Sequence, residues 1–209
     1  MKPKLLIVGA GGHGLVVADA ALEQGLWSDI AFLDDEVKGE LLISSCKVVG
    51  VTADASSLLH QYQDLFVAIG DNKRRLQLIN EYISNGFNLP VIMHPSSTVS
   101  AFTEIGMGSF VAAKSVVGVG AKLGKGCIVN TGASVDHENI LSDGVHVSPG
   151  AHLGGRVKVG NCSWIGIGAS VRELVSIGNA VIIGAGAAVV RNVEDKQQVF
   201  GVPARPKGS

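Results

Sequence analysis

The chain has 209 residues, room for one large domain or two small ones, and 17 basic residues against 18 acidic ones. It is 46% hydrophobic but only 5% aromatic, with 28 glycines, a balance that favours regular stacking of small aliphatic residues over an aromatic-filled core. The near-zero net charge without a basic run speaks against nucleic acid or anionic lipid as partners. Three scattered cysteines (Cys46, Cys127, Cys162) speak against a disulfide framework and for a reducing, cytoplasmic setting.

In chain order, the opening MKPKLLIVGAGGHG is neither a signal peptide nor a membrane span. Lys4 to Val8 reads as a short strand, Gly9 to Gly14 as a glycine-rich turn, and Leu15, Ala18, Leu22 and Leu26 as the apolar side of a helix. Ile30 to Leu33 is a second strand ending in Asp34-Asp35, Val48-Val49 a weak one, and Ala55 to Tyr62 a short helix. Leu65 to Ile69 is a strong strand ending at Gly70. Asp71 or Asn72 then caps a helix that carries Leu76, Ile79 and Ile83 and stops at Asn85-Gly86. Leu89 to Met93 reads as the last strand of this part. Alternating strand and helix predicts a small parallel sheet covered by helices over residues 1–95.

From residue 96 to 207 the pattern changes to a period of six. Every sixth residue from Val99 through Val189 is Val, Ile or Leu, with no slip: Val111, Leu123, Val135, Val147, Val159 and Val171 are among them. The next position is mostly Gly, Ser, Asn or Asp, and the position two before is mostly small. An amphipathic strand meander alternates with period two and does not explain this. Three short strands joined by tight corners do: eighteen residues close one triangular coil, and each coil buries its aliphatic against its neighbours.

Several pieces then carry a family resemblance: GAGGHG at 9–14, FLDD at 32–35, AIGDN at 68–72, DHE at 136–138, HVSPGAHLGG at 146–155 and VFGVPAR at 199–205. In this order on a hexapeptide array, the chain resembles the sugar acyltransferase family that includes bacterial UDP-4-amino-sugar N-acetyltransferases and sialic acid O-acetyltransferases. The resemblance implies an α/β Rossmann-like nucleotide-sugar-binding domain followed by a left-handed parallel β-helix that binds acetyl-CoA and carries out catalysis. It implies a homotrimer with active sites between subunits. It also implies roles: His137 as general base and Glu138 as its supporting carboxylate; His146, Gly155, Ile167 and Ala185 along the acetyl-CoA cleft; Gly11, Gly12, His13, Asp34, Asp35 and Gly70 around the nucleotide sugar. Ala185 stands where some relatives carry glycine.

Elementary chemistry agrees with those roles. Acetyl transfer from a thioester needs a base for the attacking amine or hydroxyl, and an imidazole beside a carboxylate suits the task. The oxyanion needs a donor, and a backbone N–H at a glycine supplies one. Gly155 follows His137 by eighteen residues, so the two stack at one corner. His146 lies half a coil further round, which calls for a cleft between two subunits if both histidines serve one site. No third histidine joins His146 and His152 at a matching corner, so no metal is expected. By itself, His137 reads as a solvated corner residue; the motif order favours catalysis. Gly9-x-Gly11-x-x-Gly14 with Asp34 twenty residues on also fits a dinucleotide fingerprint. The 95 residues before the repeats make only half of such a fold, so the turn is read as holding a nucleotide sugar's pyrophosphate.

The activity expected is transfer of acetyl from acetyl-CoA to the 4-amino group of a UDP-linked amino-dideoxy sugar in bacterial glycan biosynthesis. The alternatives are O-acetylation of a sialic acid and a non-catalytic nucleotide-sugar-binding scaffold.

Overall fold

The computed structural model describes residues 2–36, 41, 43 and 45–206. The N-terminal half contains β1 (Lys4–Val8), α1 (Gly12–Gln24), β2 (Asp29–Leu33), β3 (Lys47–Gly50), a 3₁₀ turn (Thr52–Asp54), α2 (Ala55–Leu58), β4 (Asp64–Val67) and α3 (Asn72–Ser84). The four strands form one parallel sheet in the order β3-β2-β1-β4. β1 is apolar at four consecutive positions because both of its faces are covered. Leu5 and Ile7 pack with α1, whereas Leu6 and Val8 pack on the side of Leu78, Ile79 and Tyr82 of α3.

The glycine turn after β1 is forced by close approach. Gly9 has φ 102°, and a β-carbon on Gly14 would collide with the Gly9 carbonyl oxygen. α3 is capped as expected: the Asp71 carboxylate accepts from the Arg74 N–H at 2.7 Å. Its buried side differs from the one anticipated. Arg75, Leu78, Ile79 and Tyr82 are covered, whereas Leu76 and Ile83 are half-buried.

The expected last strand, Leu89 to Met93, does not join this sheet. Asn88 touches the sheet edge opposite Asp64, but Pro90 then removes a donor and ends the pairing. Strand β5 (Ile92–Met93) pairs instead with Phe110–Val111 and opens the C-terminal column.

That column is a triangular parallel β-helix. Among the described residues its three faces hold sheets of eight, six and five strands. The register is eighteen residues throughout the body: Ile128 pairs with His146, Ser134 with His152, Ile140 with Lys158. The aliphatic at every sixth position points inward, and Val111, Val129, Val147 and Ile165 are fully buried. The corners obey the same count. From Lys114 to Ala180 every residue whose number is a multiple of six has positive φ, whether glycine, as at Gly120, Gly132 and Gly150, or not, as at Glu138 (55°), Arg156 (60°) and Leu174 (64°). Such a corner costs a non-glycine residue steric energy, which stacking on neighbouring coils must offset.

Each coil is buried only by its neighbours, so a single core truncation is felt. Leu141→Ala is expected to lower the unfolding free energy by about 2–5 kcal/mol, measured by chemical denaturation.

The two halves share a core. Phe110 and Ile128, on the outer side of the column face that begins with β5, are fully buried in the same cluster as Val17 and Ala21 of α1. α3 lies along an edge of that face. Among the described residues no helix is long and apolar enough to cross a membrane.

Candidate active site

The corner between the second and third faces carries the DHE motif. His137 is half-exposed, and its ring occupies the space that a β-carbon on Gly155 would need, with Nε2 and Cε1 the nearest atoms. Glycine at 155 is therefore what lets the Nε2 end of the imidazole come up against the next coil. Gly155 has no positive φ, so the need is for space alone. On the other side of the ring, Nδ1 lies 3.1 Å from Oε2 of Glu138. A proton on Nδ1 shared with that carboxylate leaves Nε2 with the lone pair, the tautomer a general base requires. Among the described residues the Gly155 N–H has no hydrogen-bond acceptor.

Two further residues at this corner were not singled out from sequence. Arg156 Nε donates to Glu138 Oε2 at 2.9 Å, and this bond, followed by that from His137, holds the Glu138 carboxyl below its ordinary range. Arg156 follows Glu138 by eighteen residues, so the stacking rule that set Gly155 against His137 was the available signal. Asn139 is fully buried beneath the corner and donates through Nδ2 to the carbonyls of Asp136 at 2.7 Å and Gly154 at 3.0 Å. It clamps the turn carrying His137 to the turn carrying Gly155.

His146 lies on a different side of the column, on the face that the N-terminal half covers. Its ring stacks on Trp164, eighteen residues on, with centroids 5.6 Å apart and planes 2° from parallel. The Trp164 indole N–H is held by Ser148 Oγ. His146 Nε2 contacts Asn130 Nδ2 at 3.2 Å, while Nδ1 is buried without a hydrogen-bond partner among the described residues. Burial, then the nearby Arg75 and His13, lowers its pKa to about 3, so it is neutral at physiological pH. Ile167 and Ala185 are exposed and linked through the Gly186 N–H donating to the Ile167 carbonyl at 2.8 Å. They sit at a corner of their own, bordering that face.

The N-terminal residues surround the carboxyl ends of the parallel strands, where open α/β sheets bind ligands. A cleft of about 210 Å³ is lined by Gly9, Leu33, Asp34, Asp35, Glu36, Thr52 and Ile69. Asp34 Oδ2 accepts from the Ala10 N–H at 2.7 Å and Oδ1 from the Glu36 N–H at 2.9 Å, so Asp34 shapes the glycine turn as well as the cleft. Asp35 Oδ1 accepts from the Thr52 N–H at 2.8 Å. Gly11 and Gly12 are exposed at the start of α1, with open space where a β-carbon would stand, and Gly70 is equally open at the start of the turn before α3. His13 packs edge-on against Phe110 of the column at 5.6 Å, with Nε2 buried and unpartnered among the described residues. Burial, then Arg75, lowers its pKa to about 4. The structure thus brings His13 and His146 together at the seam of the two halves and leaves His137 on another corner.

A second cleft, of about 240 Å³, lies between the start of α3 (Gly70 to Lys73) and Cys162, Trp164, Ala180 and Ile182 of the column. Among the described residues no group of three or more His, Cys, Asp or Glu side chains is placed to hold a metal ion.

Comparison with known proteins places this geometry. Residues 4–82 match the PglD N-terminal domain. The chain is 44% identical to the acetyltransferase domain of PglB from Neisseria gonorrhoeae FA1090 in complex with acetyl coenzyme A, with a TM-score of 0.95 over 99% of this chain and 100% of that one. It is 36% identical to a histidine-to-alanine variant of GDP-perosamine N-acetyltransferase from Caulobacter crescentus in complex with CoA and GDP-perosamine, with a TM-score of 0.94 over 100% of this chain and 99% of that one. A GDP-perosamine N-acetyltransferase of Escherichia coli O157:H7 is 29% identical over 178 residues, covering 80% of this chain and 77% of that protein. The column is accordingly a left-handed β-helix, and the chain belongs to the family of hexapeptide-repeat, acetyl-CoA-dependent sugar N-acetyltransferases.

Proposed function

We propose that this enzyme moves the acetyl group of acetyl-CoA onto the 4-amino group of a nucleotide-linked amino-dideoxy sugar, with residues 1–95 receiving the acceptor and residues 96–207 the thioester. The observation that carries the reading is the His137 corner. A half-exposed imidazole has Nδ1 on a carboxylate and Nε2 beside a glycine whose N–H has no acceptor among the described residues. The acceptor lies in the cleft of Asp34, Asp35 and Gly9, its diphosphate at the start of α1 beside Gly11 and Gly12, and the loop at Gly70 borders the sugar.

In the reaction the amine lone pair attacks the thioester carbonyl carbon. His137 Nε2 accepts the proton lost by nitrogen, and the Gly155 N–H donates to the oxyanion. Collapse breaks the C–S bond, and the imidazolium returns the proton to the departing CoA thiolate. Glu138 keeps Nδ1 protonated and stabilises the imidazolium, with Arg156 fixing the carboxylate. His146, neutral and stacked on Trp164, lines the thioester side, and Ile167 and Ala185 border the groove for the rest of the cofactor. His137 and the acceptor cleft lie on different sides of one column. We therefore place each active site between two copies in a trimer, one copy offering its acceptor cleft and the next its His137. The free thiols of Cys46, Cys127 and Cys162 suit a cytoplasmic setting.

The experiment is thiol release from acetyl-CoA with UDP-linked and GDP-linked 4-amino-4,6-dideoxy sugars, beside a sialic acid as hydroxyl acceptor. Release with an amino sugar, together with an N-acetylated product by mass spectrometry, is the expected result. Release with the sialic acid alone overturns it in favour of O-acetylation, and release with neither favours a binding scaffold.

A further inference from the structure

Arg75 of α3 is fully buried, and every N–H it carries is used. Nε donates to the Gly126 carbonyl at 2.8 Å. Nη1 donates to the carbonyls of Ile69 at 3.0 Å and Gly70 at 3.2 Å. Nη2 donates to Asn72 Oδ1 at 2.8 Å and to the Gly144 carbonyl at 3.0 Å. All of these acceptors are neutral. Among the described residues Arg75 makes no salt bridge; burial lowers its pKa to about 10, and it still remains a cation. Asn72 in turn donates to the carbonyls of Cys162 at 3.2 Å and Ser163 at 3.3 Å.

A buried cation that no carboxylate pairs directly among the described residues is a poor device for stability alone. One turn further along the same helix the seam is apolar: Ile79 covers the corners at Gly108 and Gly126. What a guanidinium adds is a planar fork of five donors that fixes several acceptors at once. Those acceptors belong to two different parts of the site. Ile69 lines the acceptor cleft and Gly70 follows it, whereas Gly144 stands two residues before His146, on the column. The sequence separations are 5 and 6 residues on one side and 51 and 69 on the other.

We propose that Arg75 is a positioning residue for acetyl transfer: it ties the Ile69–Gly70 loop of the acceptor cleft to the Gly126 and Gly144 corners of the column, and so sets where the acceptor amine meets the thioester. This rests on the acetyl-transfer reading above. Arg75 is fully buried and lines neither the acceptor cleft nor the cleft at the start of α3. Its effect passes through the loop, and an ångström-scale displacement of a bound reactant is enough to cost about 10²-fold in rate.

The test is two-substrate steady-state kinetics of Arg75→Lys and Arg75→Gln, with thermal melts and the folded fraction measured for each. Lysine keeps the charge but offers three donors from one nitrogen, so it cannot span both sets of carbonyls. The expected result for Arg75→Lys is a fall in kcat/KM for the nucleotide amino sugar of about 10- to 100-fold, with KM for acetyl-CoA within about twofold of wild type. Arg75→Gln should be worse in the same parameter; if it does not fold, Arg75→Lys carries the test. Equal changes in both KM values, a loss that vanishes on correction for folded protein, or wild-type acceptor kinetics in Arg75→Lys overturns the proposal. If the wild-type enzyme acetylates no nucleotide amino sugar, the functional reading itself fails. Arg75 is then judged by calorimetric binding of UDP and GDP: weakened binding with an unchanged melt supports the tie to the loop, and unchanged binding overturns it.

Discussion

His137→Ala is expected to lower kcat by about 10²–10⁴-fold, with the melting curve and KM for acetyl-CoA little changed. The imidazole is half-exposed at a corner, and its contacts run to the Glu138 carboxylate and to the surface of Gly155. Neither residue belongs to the aliphatic core of the column, so the fold does not depend on the ring. What is lost is the proton acceptor, together with the imidazolium that would protonate the leaving thiolate. His137→Gln keeps a polar side chain but no base, and should be as impaired as alanine. The check is thiol release under saturating substrates with purified, folded variants. A variant with near-wild-type kcat would remove His137 from the reaction and with it the assignment of the DHE corner.

Gly155→Ala is the second large effect expected, from the addition of one methyl group. The new β-carbon would collide with Nε2 and Cε1 of the His137 ring, so the imidazole must swing away from the next coil and from Glu138. Residue 155 lacks positive φ, and alanine there carries no backbone penalty. The loss should therefore fall on kcat, by about 10²-fold for a displaced catalytic group, while the melt stays close to wild type. Gly154→Ala is the control. There a β-carbon meets the backbone of Glu173 and Val171 rather than the imidazole, so the cost appears as instability. Unchanged kcat in Gly155→Ala would mean that the ring is not held in this position during turnover.

The column was legible because its physics is local and periodic. Inward aliphatics, small neighbours and left-handed corners recur every six residues. Eighteen-residue stacking then follows without knowledge of any other part of the chain, and it correctly set Gly155 against His137; the same separation relates Trp164 to His146. The same rule was enough to set Arg156 against Glu138, had the charge pair been sought. The N-terminal half was legible in its strands and caps but less so in its assignments. Leu89 to Met93 has the composition of any short strand, and only Pro90 hinted that its pairing would change. Arg75 was hidden by its own chemistry. A charged residue on a short helix reads as solvent-facing, although Arg75 and Ile79 lie four apart and so share a side of the helix.

The sequence by itself determined the triangular column, its corners, and the stacking of His137, Glu138, Gly155 and Arg156, because each depends on contacts at one fixed separation. Only the tertiary structure decided how the N-terminal half is seated on the column, and hence that His13 lies at the seam with His146 and that Arg75 bridges Gly70 to Gly144. Those contacts join segments with no shared period. Their partners are chosen by which polar groups each surface leaves unsatisfied when the two are pressed together, and no local pattern along the chain encodes that choice.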